Sequence, residues 1–207
     1  VLIEFIFTVI GISMNLFVHK DNFLSLENFD KLSQTAVDRY PIILNEDRVA
    51  KQRMLRSCRS REPSFPAGLT SLPAEIAVRY GAAGVIAVEQ TRELLINEFH
   101  IKNPEIANIW FAYNNADKKQ GWHCDGPVRD FPVDQCLTVC LYLHSIWQPE
   151  WGGEIITDSG NHYEPKPNRL VIWSRDIIHQ VNPIFTPDPN YMRMVMATTW
   201  TSEGRSK

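Results

Sequence analysis

Helices first and many short strands afterwards predict an α+β fold, with the helices packed on one side of a β-sandwich or barrel. Two observations carry that expectation. Up to residue 104 apolar residues recur at helical spacing, and from residue 105 onward they alternate with period two. The 207-residue length suits a single domain with a sizeable core. Within it, residues 14–104 read as a mainly helical support region and residues 105–200 as the strand-rich core.

The opening stretch, "VLIEFIFTVIGISMNLFV", is apolar, yet Glu4, Ser13 and Asn15 interrupt it well short of a membrane-spanning length. It lacks a basic leader region and a small-residue cleavage site, and its β-branched and aromatic content fits a strand. Met14 opens a more ordinary start, so residues 1–13 read as a non-native or optional extension. "FLSLENFDKLSQTAVDRY" reads as a helix capped by Ser25, with Phe29, Leu32, Ala36 and Val37 at helical spacing and Pro41 ending it. "NEDRVAKQRMLRSCRSR" reads as a second helix. Its basic end (Lys51, Arg53, Arg56, Arg59, Arg61) is either a solvated face or a phosphate-contacting patch. "EPSFPAGLTSLP" is a loop, and "VIAVEQTRELLINEF" a third helix entered through "GAAG".

In the strand region, "IANIWFAY" places Ile109, Phe111 and Tyr113 on one face. "DQCLTVCLYLH" sets Leu137, Val139, Leu141 and Leu143 against Cys136, Thr138, Cys140 and Tyr142. Neither face is charged, so this strand is expected to be buried on both sides. "GGEIIT", "NRLVIW", "IIHQV" and "MRMVMATTW" complete the strand set.

Composition excludes several classes. A net charge of −3 argues against a dedicated nucleic-acid binder. Four cysteines without a CxxC pair suggest neither a disulfide scaffold nor a structural zinc site, so a reducing, cytoplasmic setting is expected, without membrane association.

The chemistry-bearing residues begin at "GWHCDG". His123 and Asp125 lie two apart, so on extended backbone their side chains point the same way and can grip one ion. Taken alone, such a pair is as readily two ordinary surface residues. A third ligand must come from elsewhere, and His179 in "IIHQV" follows three predicted strands later, where a barrel or sandwich returns the chain to the same mouth. Two histidines and one carboxylate on one face of an ion leave three positions open, the arrangement of non-haem Fe(II) oxygenases. Arg193 stands on an otherwise apolar strand, where an unpaired guanidinium is costly and a bound carboxylate would pair with it. Tyr113 and Tyr142 can supply hydroxyls to the same carboxylate, although each is also an ordinary core tyrosine.

Taken in order, "HCD", "WGGE", "PKPNRLVIW", "HQVNP" and the arginine of "YMRMVMATTW" resemble Fe(II)/2-oxoglutarate-dependent dioxygenases, in their prolyl 4-hydroxylase-like branch. The resemblance covers residues 105–200 and implies a double-stranded β-helix (jelly-roll, cupin-like) core with the N-terminal helices packed on one sheet. It implies that His123, Asp125 and His179 bind Fe(II) and that Arg193 holds the distal carboxylate of 2-oxoglutarate. Tyr113 and Tyr142 match tyrosines lining the co-substrate pocket. Arg169 looks like a brace for the strand before His179, and Gly152 and Gly153 like a tight turn.

The implied reaction hydroxylates a prolyl, peptidyl or small-molecule substrate using O2, releasing succinate and CO2, with ascorbate as accessory reductant. Trp122, Arg129, Trp173 and Trp200 are candidates for the substrate wall, together with the "EPSFPAGLTSLP" loop. There are departures from the branch. The segment between His179 and Arg193 is longer than usual, with Pro183, Pro187 and Pro189 in it. Where nucleic-acid demethylases carry a second arginine this chain has Thr199, which counts against nucleic-acid repair. A metal enzyme that uses its open positions without 2-oxoglutarate, and a non-catalytic metal-stabilised sensor, are the rival readings.

Overall fold

The computed structural model describes residues 16–46, 59–61, 65–66, 72–114, 120–128, 131–188 and 191–203. The proposed extension over residues 1–13 therefore lies outside the described residues, as do Lys51, Arg53 and Arg56.

Helix α1 (Leu26–Glu46) starts where Ser25 Oγ accepts the Asn28 N–H at 3.3 Å, the cap expected from sequence. Leu24, Phe29, Leu32 and Ala36 are buried along one face, whereas Val37 is 48% exposed and lies off it. Pro41 does not end the helix, which runs on to Glu46. The missing proline N–H leaves the Val37 carbonyl without its helical donor, on a side of α1 open to water. Helix α2 (Leu72–Asn97) begins earlier than its periodicity suggests. The "GAAG" segment is a kink inside it, with Gly81 at φ 67° and ψ 179°, a conformation open to a residue without Cβ.

The strands form two sheets. Strand β1 is Phe17–Lys20, β2 Arg59–Arg61, β3 Phe65–Pro66, β4 Glu105–Asn114 and β5 Gln120–His123. Strand β6 is Cys136–Tyr142, β7 Ile155–Thr157, β8 His162–Tyr163, β9 Leu170–Ser174, β10 His179–Val181 and β11 Arg193–Thr201. The larger sheet has the order β1-β9-β6-β11-β4-β2, with β3 also on β4, and the smaller one the order β5-β10-β7-β8. Two expectations are corrected here. Arg59–Arg61 is not the end of a helix, and the following proline-rich segment is not wholly loop: both Arg59–Arg61 and Phe65–Pro66 pair antiparallel with β4. The free edge of β4 offers unpaired N–H and C=O groups, and pairing there satisfies them.

The larger sheet is buried on both faces. Ile109, Phe111, Tyr113, Leu137, Val139, Leu141 and Met196 pack beneath the helices against Leu32, Tyr80 and Leu95. Ala112, Tyr142, Val171, Trp173, Val195 and Ala197 face the smaller sheet through Ile155 and Val181. Helices on one face and a second sheet on the other make the jelly-roll arrangement expected above. No helix among the described residues is long and apolar enough to cross a membrane.

The start of α1 is tied to the strand that leads to His179. Asn168 (φ 56°) accepts the Leu24 N–H at 2.9 Å through its side-chain oxygen and donates to the Leu24 carbonyl at 2.8 Å. Arg169 braces the same strand: its Nε and Nη2 both donate to the Asp21 carboxylate, Nη2 at 2.8 Å. The Arg169 hydrogen bonds, as the largest cause, hold the Asp21 carboxyl below its ordinary value. A depressed carboxyl stabilises the fold above its unfolded-state pKa of about 3.9 and ceases to do so as pH falls through the folded value. Asp21→Asn should therefore melt lower than wild type at pH 7, with the two melting temperatures converging as pH falls below the depressed folded value. A pH series of thermal denaturation curves checks this.

Candidate metal centre

His123 and His179 are direct partners across the antiparallel β5–β10 pair. Pairing opposite residues on neighbouring strands puts their side chains on one face, and the two rings lie 4.3 Å apart. Asp125 follows just beyond β5, its Oδ1 3.8 Å from His123 Nε2. One ligand atom from each of the three residues lies within 4.8 Å of the others, and no other such group of three or more occurs among the described residues.

Backbone carbonyls set the imidazole tautomers. His123 Nδ1 lies 2.7 Å from the Gly121 oxygen and His179 Nδ1 lies 3.0 Å from the Ile177 oxygen. Each carbonyl accepts the Nδ1 proton, which leaves both Nε2 atoms bare and turned inward. Burial is the largest cause lowering His179 below its ordinary value, opposed by the Ile177 carbonyl and the Asp125 charge. Neutral imidazole is the form that binds a metal. The Gln120 amide nitrogen is 2.6 Å from His123 Nε2 and, as a donor, fits that bare nitrogen. It must turn aside when a cation takes its place.

Asp125 is held from three directions. Its Oδ2 accepts the Thr138 hydroxyl at 2.7 Å and the Trp173 indole N–H at 3.0 Å. Arg175 donates to the Asp125 carbonyl at 2.6 Å and the Gly126 carbonyl at 2.7 Å. Sequence reasoning missed Thr138, Arg175 and Gln120 as site residues. A threonine on an apolar strand and an arginine just after one carry no spacing that links them to a ligand.

The remaining candidates divide. Arg193 is 8% exposed, faces the space between the sheets and donates from Nη1 to the Gly153 carbonyl at 2.8 Å. Its guanidinium lies 6.0 Å from the centre of the Tyr142 ring, and its Nε has no partner among the described residues. A buried donor without an acceptor is costly, and a carboxylate would satisfy it. The Gly152-Gly153 turn makes this possible. Both residues have positive φ, and a Cβ on Gly152 would stand 2.2 Å from the Pro183 oxygen. Tyr142 is fully buried beside Arg193, and burial, its largest cause, pushes the phenol well above its ordinary value, so it remains a donor.

Tyr113 does not join them. It lies on the helix side of the larger sheet, where its hydroxyl donates to the Ala36 carbonyl at 2.7 Å. Trp200 is on that side too, fully buried, bonded to Thr198 and covered by Arg92, so it is no substrate wall. Trp173 is buried and its indole N–H bonds Asp125, a metal-ligand candidate. Trp122, 53% exposed on β5 beside His123, points away from the cluster because successive strand residues alternate. Arg129 lies outside the described residues.

A family model described as the 2OG-Fe(II) oxygenase superfamily matches residues 109–202, the segment that carries the three ligand candidates and Arg193. No curated protein matches the chain. Among solved structures, the oxygenase fold here is similar to a Pseudomonas putida prolyl-4-hydroxylase, with a TM-score of 0.56 at 18% identity over 92% of this chain and 93% of that one. A Trichoplax adhaerens prolyl hydroxylase, solved with a hypoxia-inducible-factor peptide fragment, gives 0.60 at 19% over 91% and 84%. A viral collagen prolyl hydroxylase from Paramecium Bursaria Chlorella virus-1, solved with 2-oxoglutarate, gives 0.57 at 14% over 95% and 100%.

The two tyrosines should separate cleanly. Tyr113→Phe should cost about 1 kcal/mol in urea unfolding, because one hydrogen bond to a buried carbonyl is lost, and leave the KM for 2-oxoglutarate within about twofold. Tyr142→Phe should raise that KM by about tenfold, the loss expected for one hydrogen bond to a charged group.

Proposed function

We propose that the protein is an Fe(II)- and 2-oxoglutarate-dependent oxygenase that hydroxylates a prolyl, peptidyl or small-molecule substrate with release of succinate and CO2. The observation that carries this is the convergence of two imidazoles and a carboxylate, a donor set that suits Fe(II) and leaves coordination positions free. A buried guanidinium with an unpartnered Nε accompanies it on the strand that pairs with β6 and β4.

The chain's own residues have separable tasks in this reading. His123, Asp125 and His179 hold the cation. Arg193 pairs with the far carboxylate of 2-oxoglutarate, and Tyr142 donates beside it. Val195 and Ala197 on β11 and Val171 on β9 pack with Tyr142 and Trp173 in one buried apolar cluster that excludes water from this side of the sheet. When bound, Fe(II) and 2-oxoglutarate supply the activation of dioxygen, coupling decarboxylation of the co-substrate to hydroxylation of a C–H bond. Ascorbate as accessory reductant and a reducing, cytoplasmic setting belong to the same reading, as do substrates that are peptides or metabolites rather than nucleic acid.

His123→Ala should abolish iron-dependent succinate formation while leaving the circular dichroism spectrum intact. Wild-type succinate yields from this variant would remove the proposal. Arg193→Met should weaken 2-oxoglutarate binding by about 10- to 100-fold, since hydrogen bonds to a charged group contribute about 1.5–3 kcal/mol. Metal uptake by that variant should be unchanged, and calorimetric titration of each ligand separates the two effects.

A further inference from the structure

We infer that Trp173 and Thr138 are positioning residues for the metal-binding carboxylate: together they saturate Asp125 Oδ2 and leave Oδ1 as the oxygen presented beside His123 and His179. This rests on the metal-centre reading above and deepens it.

The convergence is built into the sheet. Thr138 and Trp173 are direct partners across β6 and β9, and both face the smaller sheet. Their donors meet on the same oxygen, at 2.7 Å from the hydroxyl and 3.0 Å from the indole N–H. A carboxylate oxygen has two lone-pair directions, and these two bonds use both. The threonine proton has little choice of direction. Arg175 Nη1 donates to Thr138 Oγ1 at 3.0 Å, so that hydroxyl accepts from the guanidinium and spends its own proton on Asp125. The main chain cannot swing the carboxylate round either, because Arg175 also holds the Asp125 and Gly126 carbonyls. Trp173 restrains a second ligand as well, its ring lying T-shaped against His179 with centroids 5.3 Å apart.

The consequence is chemical. A carboxylate free to rotate can offer both oxygens to a cation and close one of its open positions. A carboxylate with Oδ2 doubly hydrogen-bonded binds through Oδ1 alone and keeps that position free for co-substrate or dioxygen. A role confined to satisfying a buried acid would lower stability without changing how a cation is held.

The test uses Co(II) alone as probe, with the full chain and three variants: Trp173→Phe, Thr138→Val and Thr138→Ser. Affinity is read by titration, coordination by the visible d–d absorption, and stability by melting of the metal-free protein. Trp173→Phe and Thr138→Val should each weaken Co(II) binding by about tenfold and change the intensity of the d–d bands. Thr138→Ser, which keeps the hydroxyl, should restore wild-type affinity and spectrum. Thr138→Val keeps the side-chain shape and decides the question should Trp173→Phe not fold. Folded variants lacking either donor that bind Co(II) within about twofold of wild type, with the same spectrum, overturn the inference. A wild-type chain that takes up no Co(II) overturns the metal-centre reading itself.

Discussion

The antiparallel register of β10 between β5 and β7 is the constraint on which the centre depends. It sets His179 opposite His123 on one side and opposite Thr157 on the other. Strand side chains alternate, so a slip of one residue would turn His179 out to solvent and bring Ile178, 46% exposed, into its place. The cluster is then a consequence of strand pairing: two imidazoles meet because two backbones do. Asp125 completes the set two residues past His123, just before Gly126 turns at φ 72°.

Around that pair the fold works by keeping its two cores distinct. The core beneath the helices is mainly apolar, with its polar groups bonded, such as the hydroxyls of Tyr80 to Ile109 and Tyr113 to Ala36 and the Trp200 indole to Thr198. The space between the sheets tolerates Arg193, Thr138, Thr199 and His144, each buried. Polar groups survive burial only when bonded or when they await a partner. Arg175 and Trp173 belong to the first kind. The unpartnered Nε of Arg193 belongs to the second, and His144 carries another orphan, its Nδ1, while burial pushes its pKa down to about 4.

Much of this was legible in the chain. The ligand residues stand in local patterns, HxD and a histidine at a strand start, and their order along the chain matches a superfamily whose model covers the same segment. The two-sided burial of β6 followed from its lack of charge, and the Ser25 cap from its place before an apolar helical run. Helix limits were less legible. Pro41 is accommodated inside α1, and Gly81 bends α2 without ending it, because packing on the sheet offsets what a single unfavourable residue costs.

Sequence alone determined the period of the first helical stretch and of the strands from residue 105 onward, and with it which of their residues share a face, because covalent geometry fixes 3.6 residues per turn and alternation in a strand. It also determined the kinds of ligand available. Only the tertiary structure decided which face of the larger sheet meets the helices and which meets the second sheet. Both faces of β4, β6, β9 and β11 carry apolar or aromatic residues, so Tyr113 and Tyr142, or Trp200 and Trp173, look equivalent along the chain. The structure sends Tyr113 and Trp200 to the helices, and Tyr142 and Trp173 to the site. It also recruits Thr138 and Arg175 to Asp125, contacts between residues far apart in sequence that no local period can encode.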